Sequence, residues 1–441
     1  MTKRSVLSCA ITLAIAATSS AQAYELYQDG ARYLNLDVSA AFGLFHSQRS
    51  YAAVNPETKE QSTSWREGYL KYGFSAGQKL VDDSELSAGL AWVSSGTWGN
   101  GDAAGLTDGS ERHTRIEEGW ARWKSGQLIS ALGENGLDIS AGRQFASVGS
   151  GFLIHGDPVN MGNQIADGVL DRGGAYYLAP RNNFARTGII RLGGETGWRG
   201  DLMYLKSENK AQAKTALHVA NLEHVGAMGT IGATYIKGKD VDKEYADEFQ
   251  LERKGMKVYS LRGNSSFGVD NLDLSAEYAR QKKRSGDKEN AWFTQASWTF
   301  ADTPWQPTAT YRYSRFSKGF DPLFYGLSTG FGTWFQGEVA ANYAGPFNSN
   351  TKVHHVGVTA QPREDLTLGA LAFKFNTLDK KQGDLSGSEF DIYAQWDVNQ
   401  HLSIIPVMGL YKPKKDVSQG GAQLKDNKRN LYSQLLFMTQ F

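Results

Sequence analysis

Apolar and polar side chains alternate one by one over long stretches of this chain, and that period of two constrains its fold more than any other feature. Leu34, Leu36, Val38, Ala40, Phe42 and Leu44 interleave with Asn35, Asp37, Ser39, Ala41 and Gly43, which gives an extended strand one apolar and one polar face. The pattern returns where Leu70, Tyr72, Phe74 and Ala76 flank Lys71, Gly73 and Ser75. It returns again where Leu272, Leu274, Ala276 and Tyr278 flank Asp273, Ser275 and Glu277, and where Phe390, Ile392, Ala394, Trp396 and Val398 flank Asp391, Tyr393, Gln395 and Asp397. Beyond the first 23 residues, no segment approaches the ~18 apolar residues of a membrane helix. Composition agrees with strands and turns: 49 Gly and only 10 Pro in 441 residues, Gly serving bends and Pro being unable to donate to a ladder.

The N-terminus reads as an export signal. Lys3 and Arg4 precede a small-residue apolar core from Val6 to Ala17, and Ala21-Gln22-Ala23 forms an A-x-A cleavage site before Tyr24. Residues 1–23 are thus expected to be a signal peptide and 24–441 one domain. Cleavage removes the single Cys, so no disulfide is available in an oxidising compartment. The 47 basic and 46 acidic residues nearly cancel, which gives no support for nucleic-acid binding.

Alternation alone also suits a soluble sandwich; three features favour a barrel in the bacterial outer membrane. The chain ends in a strand pattern finishing on Phe441, the kind of aromatic terminus engaged by barrel assembly machinery. Trp65, Trp92, Trp123, Trp198, Trp292, Trp305 and Trp396 fall near expected strand ends, where amphipathic rings sit at headgroup depth. About twenty candidate strands are separated by alternately short and long connections. Asp82-Asp83-Ser84 and residues 361–365 read as periplasmic turns, and residues 95–114, 144–171, 238–254 and 412–429 as extracellular or lumenal loops. Single-chain bacterial barrels use even strand numbers, so the expectation is an all-β, transmembrane antiparallel barrel of 18 strands, with 16 as the alternative. Its lipid partners would be outer-membrane lipid and lipopolysaccharide.

Several motifs carry a family resemblance. Gly142-Arg143-Gln144 closes a strand before a Gly-rich loop, and Asp167-Gly168 opens the next. Later come Phe320-Asp321-Pro322-Leu323-Phe324-Tyr325-Gly326, Gly332-Thr333-Trp334, Gly337-Glu338, Asn348-Ser349-Asn350, His355 and Leu366-Thr367-Leu368-Gly369. Taken in order, they make residues 30–441 resemble the alginate-export family of outer-membrane proteins. The resemblance implies a monomeric 18-stranded barrel with an Arg-lined, electropositive passage for an anionic polysaccharide, with Arg143, Gln144, Asp167 and Gly168 as matching positions. The N-terminal loops are shorter than the family's.

The residues supply a second pointer to the same chemistry. Arg172, Arg181, Arg186 and Arg191 fall within residues 172–194, which contain no Lys, Asp or Glu, and guanidinium groups bind carboxylates bidentately. With Arg143, Gln144, Asp167, Arg262 and Arg312 they form the expected selectivity set. The competing reading places these arginines at the rim, against lipopolysaccharide phosphates, or pairs them with Asp157, Asp167 and Asp171. By phase Lys71, Arg122, Arg199, Arg262 and Arg312 point inward, together with Asp37, Glu118, Asp138, Asp201, Asp273, Glu277, Asp391 and Asp397, which predicts a lumen of mixed charge. Continuing the phase of Leu137, Ile139 and Ala141 would turn Arg143 outward, so a phase break is expected there.

Other motifs read as incidental. Gly326-Leu327-Ser328-Thr329-Gly330 spells a nucleophile elbow but lacks its α/β context. The run from Asp240 to Glu244 opens like a calcium loop, but has Tyr245 where Gly is needed. Arg199-Gly200-Asp201 lies within a strand pattern, and the adjacent His354 and His355 face opposite sides. No cofactor or metal is expected. Besides anionic polysaccharide export, two functions stay open: a substrate-specific uptake porin for small acids or sugars, and a lipase-like barrel enzyme drawing on Ser328 with His218, His224 or His354.

Overall fold

The computed structural model describes residues 24–51, 62–158, 173–326, 336–381 and 383–441; the expected signal peptide, Asp167, Arg172 and Ser328 lie outside them. Among the described residues nineteen strands form one sheet. In the first half these are β1 (Tyr24–Gln28), β2 (Arg32–Ser47), β3 (Thr63–Lys79), β4 (Glu85–Gly99), β5 (Arg112–Lys124), β6 (Leu137–Gln144), β7 (Phe184–Leu192), β8 (Gly197–Lys206), β9 (Ala216–Gly226) and β10 (Gly229–Asp240). The second half comprises β11 (Lys257–Ser265), β12 (Leu272–Lys282), β13 (Lys288–Thr299), β14 (Thr308–Phe316), β15 (Thr351–Arg363), β16 (Leu366–Thr377), β17 (Gly387–Asn399), β18 (Leu402–Pro413) and β19 (Asn430–Gln440).

Neighbours from β2 to β19 pair antiparallel, and β19 returns to β2 with Tyr432 opposite Ser47 and Gln440 opposite Ser39. The result is a closed 18-stranded barrel. Closure leaves no unpaired ladder edge, which a strand needs in hydrocarbon because no water is there to satisfy its N–H and C=O groups. β1 lies outside this count and adds a short rung to β2, from Tyr24 opposite Leu36 to Gln28 opposite Tyr33.

Connections at the two ends differ in length, as the alternation implied. Residues 80–84, 193–196, 227–228, 364–365 and 400–401 are tight turns at one end; residues 145–183 and 317–350 are the longest connections at the other. Asp82 and Asp83 take φ of 52° and 55°, a left-handed geometry that Asp tolerates better than most residues. The loop expected at residues 95–114 is shorter, because β4 continues to Gly99 and β5 begins at Arg112. The described parts of the segment read from sequence as a run of motifs, residues 317–326 and 336–350, lie outside the strands of the barrel.

The apolar phase faces outward. Phe42, Leu70, Phe74, Leu261, Phe390 and Ile392 are exposed on the protein surface, as a lipid-facing band requires. Trp198, Trp305 and Trp396 are exposed close to the short-turn end. Trp65 departs from the expectation: it is buried inside the barrel, stacked on Phe45 at 5.1 Å, and donates from Nε1 to Glu67 Oε1 at 3.0 Å. An indole offers apolar area to a loop core as readily as to an interface.

Two infolded loops fill much of the lumen. Tyr176, Tyr177 and Tyr343 pack with Phe45, Trp65 and Tyr432 against the β2, β3 and β15–β19 walls, while Phe152, Ile154 and Phe324 pack with Phe184, Phe293 and Phe316 on the other side. The loops join each other: His155 N donates to Phe324 O at 2.8 Å and Phe324 N to Leu153 O at 3.1 Å. Carboxylates on the barrel wall hold them by accepting backbone N–H donors that would otherwise be buried unpaired. Glu67 accepts from Tyr177 N (2.8 Å) and Leu178 N (3.1 Å), and Glu389 from Val339 N (2.5 Å) and Ala340 N (2.9 Å). Asp321 is gripped through both carboxylate oxygens by Arg253, at 2.7 and 2.9 Å.

Candidate lumenal passage

The space left beside the loops is a chamber of about 1130 Å³ against β5–β13. It reaches the short-turn end through residues 132–135 and 193–196, and residues 147–150 form its ceiling. Antiparallel register builds its wall, because side chains directly opposite on adjacent strands stand within contact range. Asp138 faces Arg191, Arg191 faces Asp201, Asp201 faces Asn221, and Asn221 faces Thr234. In a second row Arg199 faces Glu223, and Arg262 faces Glu277.

These positions interlock. Arg122 donates from Nε to Asp138 Oδ1 at 2.8 Å, and Arg191 lies 3.8 Å from Asp138 and 3.4 Å from Asp201. Arg199 pairs with Glu223, whose other oxygen accepts from Arg262 Nη2 at 2.6 Å. Arg262 also donates to Asn221 Oδ1 and Thr234 Oγ1, both at 2.7 Å. Gly149 and Gly232 make room for this guanidinium: a Cβ at Gly149, where φ is +55°, would stand 2.4 Å from Arg262 Nε, and one at Gly232 2.8 Å from its Cζ. Four guanidiniums, on Arg122, Arg191, Arg199 and Arg262, thus share the chamber with Glu134, Asp138, Glu195, Asp201, Glu223 and Glu277.

The arginines expected from sequence separate into distinct roles. Arg191 and Arg262 line the chamber. Arg143 follows Gly142, which takes φ +127° where a Cβ would stand 2.2 Å from Gly119 O, and the register shift beside it places its extra residue on β7, between Phe184 and Thr187. Arg143 forms a bidentate pair with Glu208, at 2.8 and 2.5 Å. Arg181, almost fully buried, lies 3.5 Å from both Glu208 and Glu117. Glu117 is itself the extra residue of a bulge on β5, where register slips between Ala91 and Trp92, and it also accepts from Asn183 N at 2.8 Å. Arg143 and Arg181 therefore tie the β5 and β6 walls to the loops rather than line the chamber. Gln144 donates to Ser140 Oγ (3.1 Å) and Thr187 Oγ1 (2.7 Å) nearby.

Two expectations fail in space. Arg186 is exposed in the same phase as Ile190 and Leu192, whereas Thr187 and Ile189 are buried, so it faces outward near the long-loop end and takes no part in the passage. The arginine group is uncompensated only along the chain: its carboxylates, Glu117, Asp138, Asp201 and Glu208, come from other segments. Arg312 lies apart from the chamber, buried, opposite His355 and 3.2 Å from Gln295 Oε1. Arg122 and Arg199 belong to the chamber although the selectivity set omitted them; their inward phase was the available signal. His354 bonds outward to Tyr311 and His355 stacks inward on Phe373 at 4.5 Å, while Asp240 and Asp242 pair with Lys254 and Lys214. Glu338, in the loop 317–350, is fully buried, and burial pushes its carboxyl well above the ordinary range.

No family model matches the chain and no curated protein matches it in sequence. Solved structures do match in fold. A BenF-like porin from Pseudomonas fluorescens Pf-5 superposes with a TM-score of 0.58 at 10% identity, covering 92% of this chain and 98% of that one. OccAB4 of Acinetobacter baumannii does so at 0.55 and 10%, with coverage of 92% and 98%, and OccK11 (OpdR) of Pseudomonas aeruginosa at 0.54 and 11%, with 92% and 96%. At such identity the likeness is one of fold. It accords with the 18-stranded barrel and gives no support to membership of the alginate-export family.

Proposed function

We propose that this chain is a porin of the bacterial outer membrane that admits small polar solutes, acids or sugars among them. One observation carries the reading: the chamber wall alternates guanidinium and carboxylate from strand to strand. A small solute with one carboxylate can exchange onto Arg191 or Arg262 and leave again, because each arginine already has a competing partner. A polyuronate would meet Asp138, Asp201 and Glu223 between every pair of arginines, and like-charge contacts oppose its progress. The likeness in fold to a protein described as a BenF-like porin supports the same choice over polysaccharide export and over a lipase-like enzyme. The monomeric state, and assembly through Phe441, whose backbone pairs with Val38 in both directions at 2.8 and 3.3 Å, belong to the proposal.

Liposome swelling tests it. Vesicles containing the protein should swell in an isosmotic monosaccharide and in a sugar acid, and an alginate oligomer should neither enter nor block the current in a planar bilayer. Saturable block by the oligomer, with no entry of the small solutes, would restore the polysaccharide reading.

A further inference from the structure

The outer wall of β10–β13 carries an arrangement that passage through the lumen does not use. Lys237 stands directly opposite Lys257, Lys257 opposite Lys282, and Lys282 opposite Lys288. All four are exposed and share the outward phase of Tyr259, Leu261 and Tyr278, whereas Val258, Ser260 and Ala279 are buried. The row lies at the long-loop end, and no ion pair or hydrogen bond engages these four amines among the described residues. Like charges placed directly opposite on adjacent strands repel, so four in register call for an anion to neutralise them.

What lies beneath the row defines the anion further. One rung toward the membrane centre, Tyr235 and Tyr259 pack with ring centroids 5.2 Å apart beside Arg280. A rung lower, Leu261 faces Ala233 and Tyr278, and a groove of about 710 Å³ runs over these residues and Leu222. Cations, then phenols, then aliphatic surface follow in order down the wall. Three interstrand gaps spread the lysines over roughly 14 Å, wide enough for a headgroup bearing more than one phosphate.

Resting on the outer-membrane reading above, we infer that this face is a binding site for the phosphorylated glycolipid of the outer leaflet, lipopolysaccharide. Its phosphates sit on the Lys237, Lys257, Lys282 and Lys288 row and its acyl chains in the groove below. The site orients the barrel in its leaflet and offsets the repulsion built into its wall.

The experiment follows the thermal loss of the compact, heat-modifiable form in detergent for the wild type and K257Q/K282Q. Each is measured alone and with bisphosphorylated lipid A, dephosphorylated lipid A, phosphatidylglycerol or inorganic phosphate. Without lipid the double variant should melt above the wild type, because repulsion has been removed. Bisphosphorylated lipid A should raise the wild-type transition and bind the variant roughly thirtyfold more weakly, each lysine near a charged lipid surface contributing a factor of about five. Equal responses of wild type and variant, or an equal response to dephosphorylated lipid A, would overturn the site. An equal shift with phosphatidylglycerol would reduce it to a general anionic-lipid contact, and one with inorganic phosphate to a free-anion site; either overturns the inference. Migration unchanged by boiling would instead refute the barrel, a failure distinguishable from that of the site.

Discussion

Replacing Glu223 by Gln tests whether the chamber is the route that ions take. The carboxylate sits between Arg199 and Arg262, and the amide keeps an acceptor for Arg262 while removing one negative charge. For an ion passing roughly 7 Å away, the Coulomb term in water is about 0.6 kcal/mol, close to RT. Its loss favours an anion and disfavours a cation to the same degree. With a screening length of about 30 Å at 10 mM salt, the anion-to-cation permeability ratio should rise about fivefold; at 1 M, where screening falls to about 3 Å, it should rise by only about a fifth. Reversal potentials in graded potassium chloride across a planar bilayer give the ratio directly. An unchanged ratio at 10 mM, in a variant of normal conductance, would mean that permeating ions do not pass this wall. A change that persisted undiminished at 1 M would refute the electrostatic account.

Further outcomes follow from the same geometry. Arg191→Ala should shift selectivity toward cations, whereas Arg186→Ala, on the outer face, should leave it unchanged in the same bilayer assay; equal shifts would refute the assigned phases. Leu274→Arg should cost ~2–4 kcal/mol in lipid vesicles and Ser275→Arg far less, because only the first faces hydrocarbon; equal losses of stability would show that the two faces are misassigned. Glu67→Ala strips the acceptor from Tyr177 N and Leu178 N, a penalty of about 1–3 kcal/mol per buried donor left unpaired, and should raise single-channel conductance or its noise as residues 173–183 detach. Glu338 is held protonated by burial, so its contribution to docking of the loop 317–350 is complete below the ordinary carboxyl range and is lost as pH rises through the elevated value. Conductance noise should therefore grow with pH in the wild type and much less in Glu338→Gln; the same pH dependence in both would exclude Glu338 as its source.

How much of this was legible in the sequence depended on how local the physics is. Side-chain direction on a strand is set by the pleat, so the runs from Leu34 to Leu44 and from Phe390 to Val398 declared their lipid face without any knowledge of neighbouring strands. Alternating turn lengths then implied an even, closed barrel, because an open edge is not tolerated in hydrocarbon. The same logic failed where both phases are apolar. In the segment from Gly188 to Leu192, Ile189 and Ile190 hide the phase; only packing of the loop against Ile189 shows that Arg191 points in and Arg186 out. It failed also at bulges, since one extra residue reverses the phase and is visible only in a partner's register: on β7 this buries both Phe184 and Thr187 and leaves Arg186 outward, and on β5 it brought Glu117 beside Arg181. The balance of charge was beyond the sequence altogether. Residues 172–194 carry arginine without acid, yet Asp138 and Asp201 stand opposite Arg191 because pairing of β6 with β7 and of β7 with β8 sets them there. Composition determined how many charges of each sign the barrel had to accommodate. Strand register, a product of the whole closed sheet, decided which of them meet, and so made the wall a ladder of alternating sign instead of an electropositive ring.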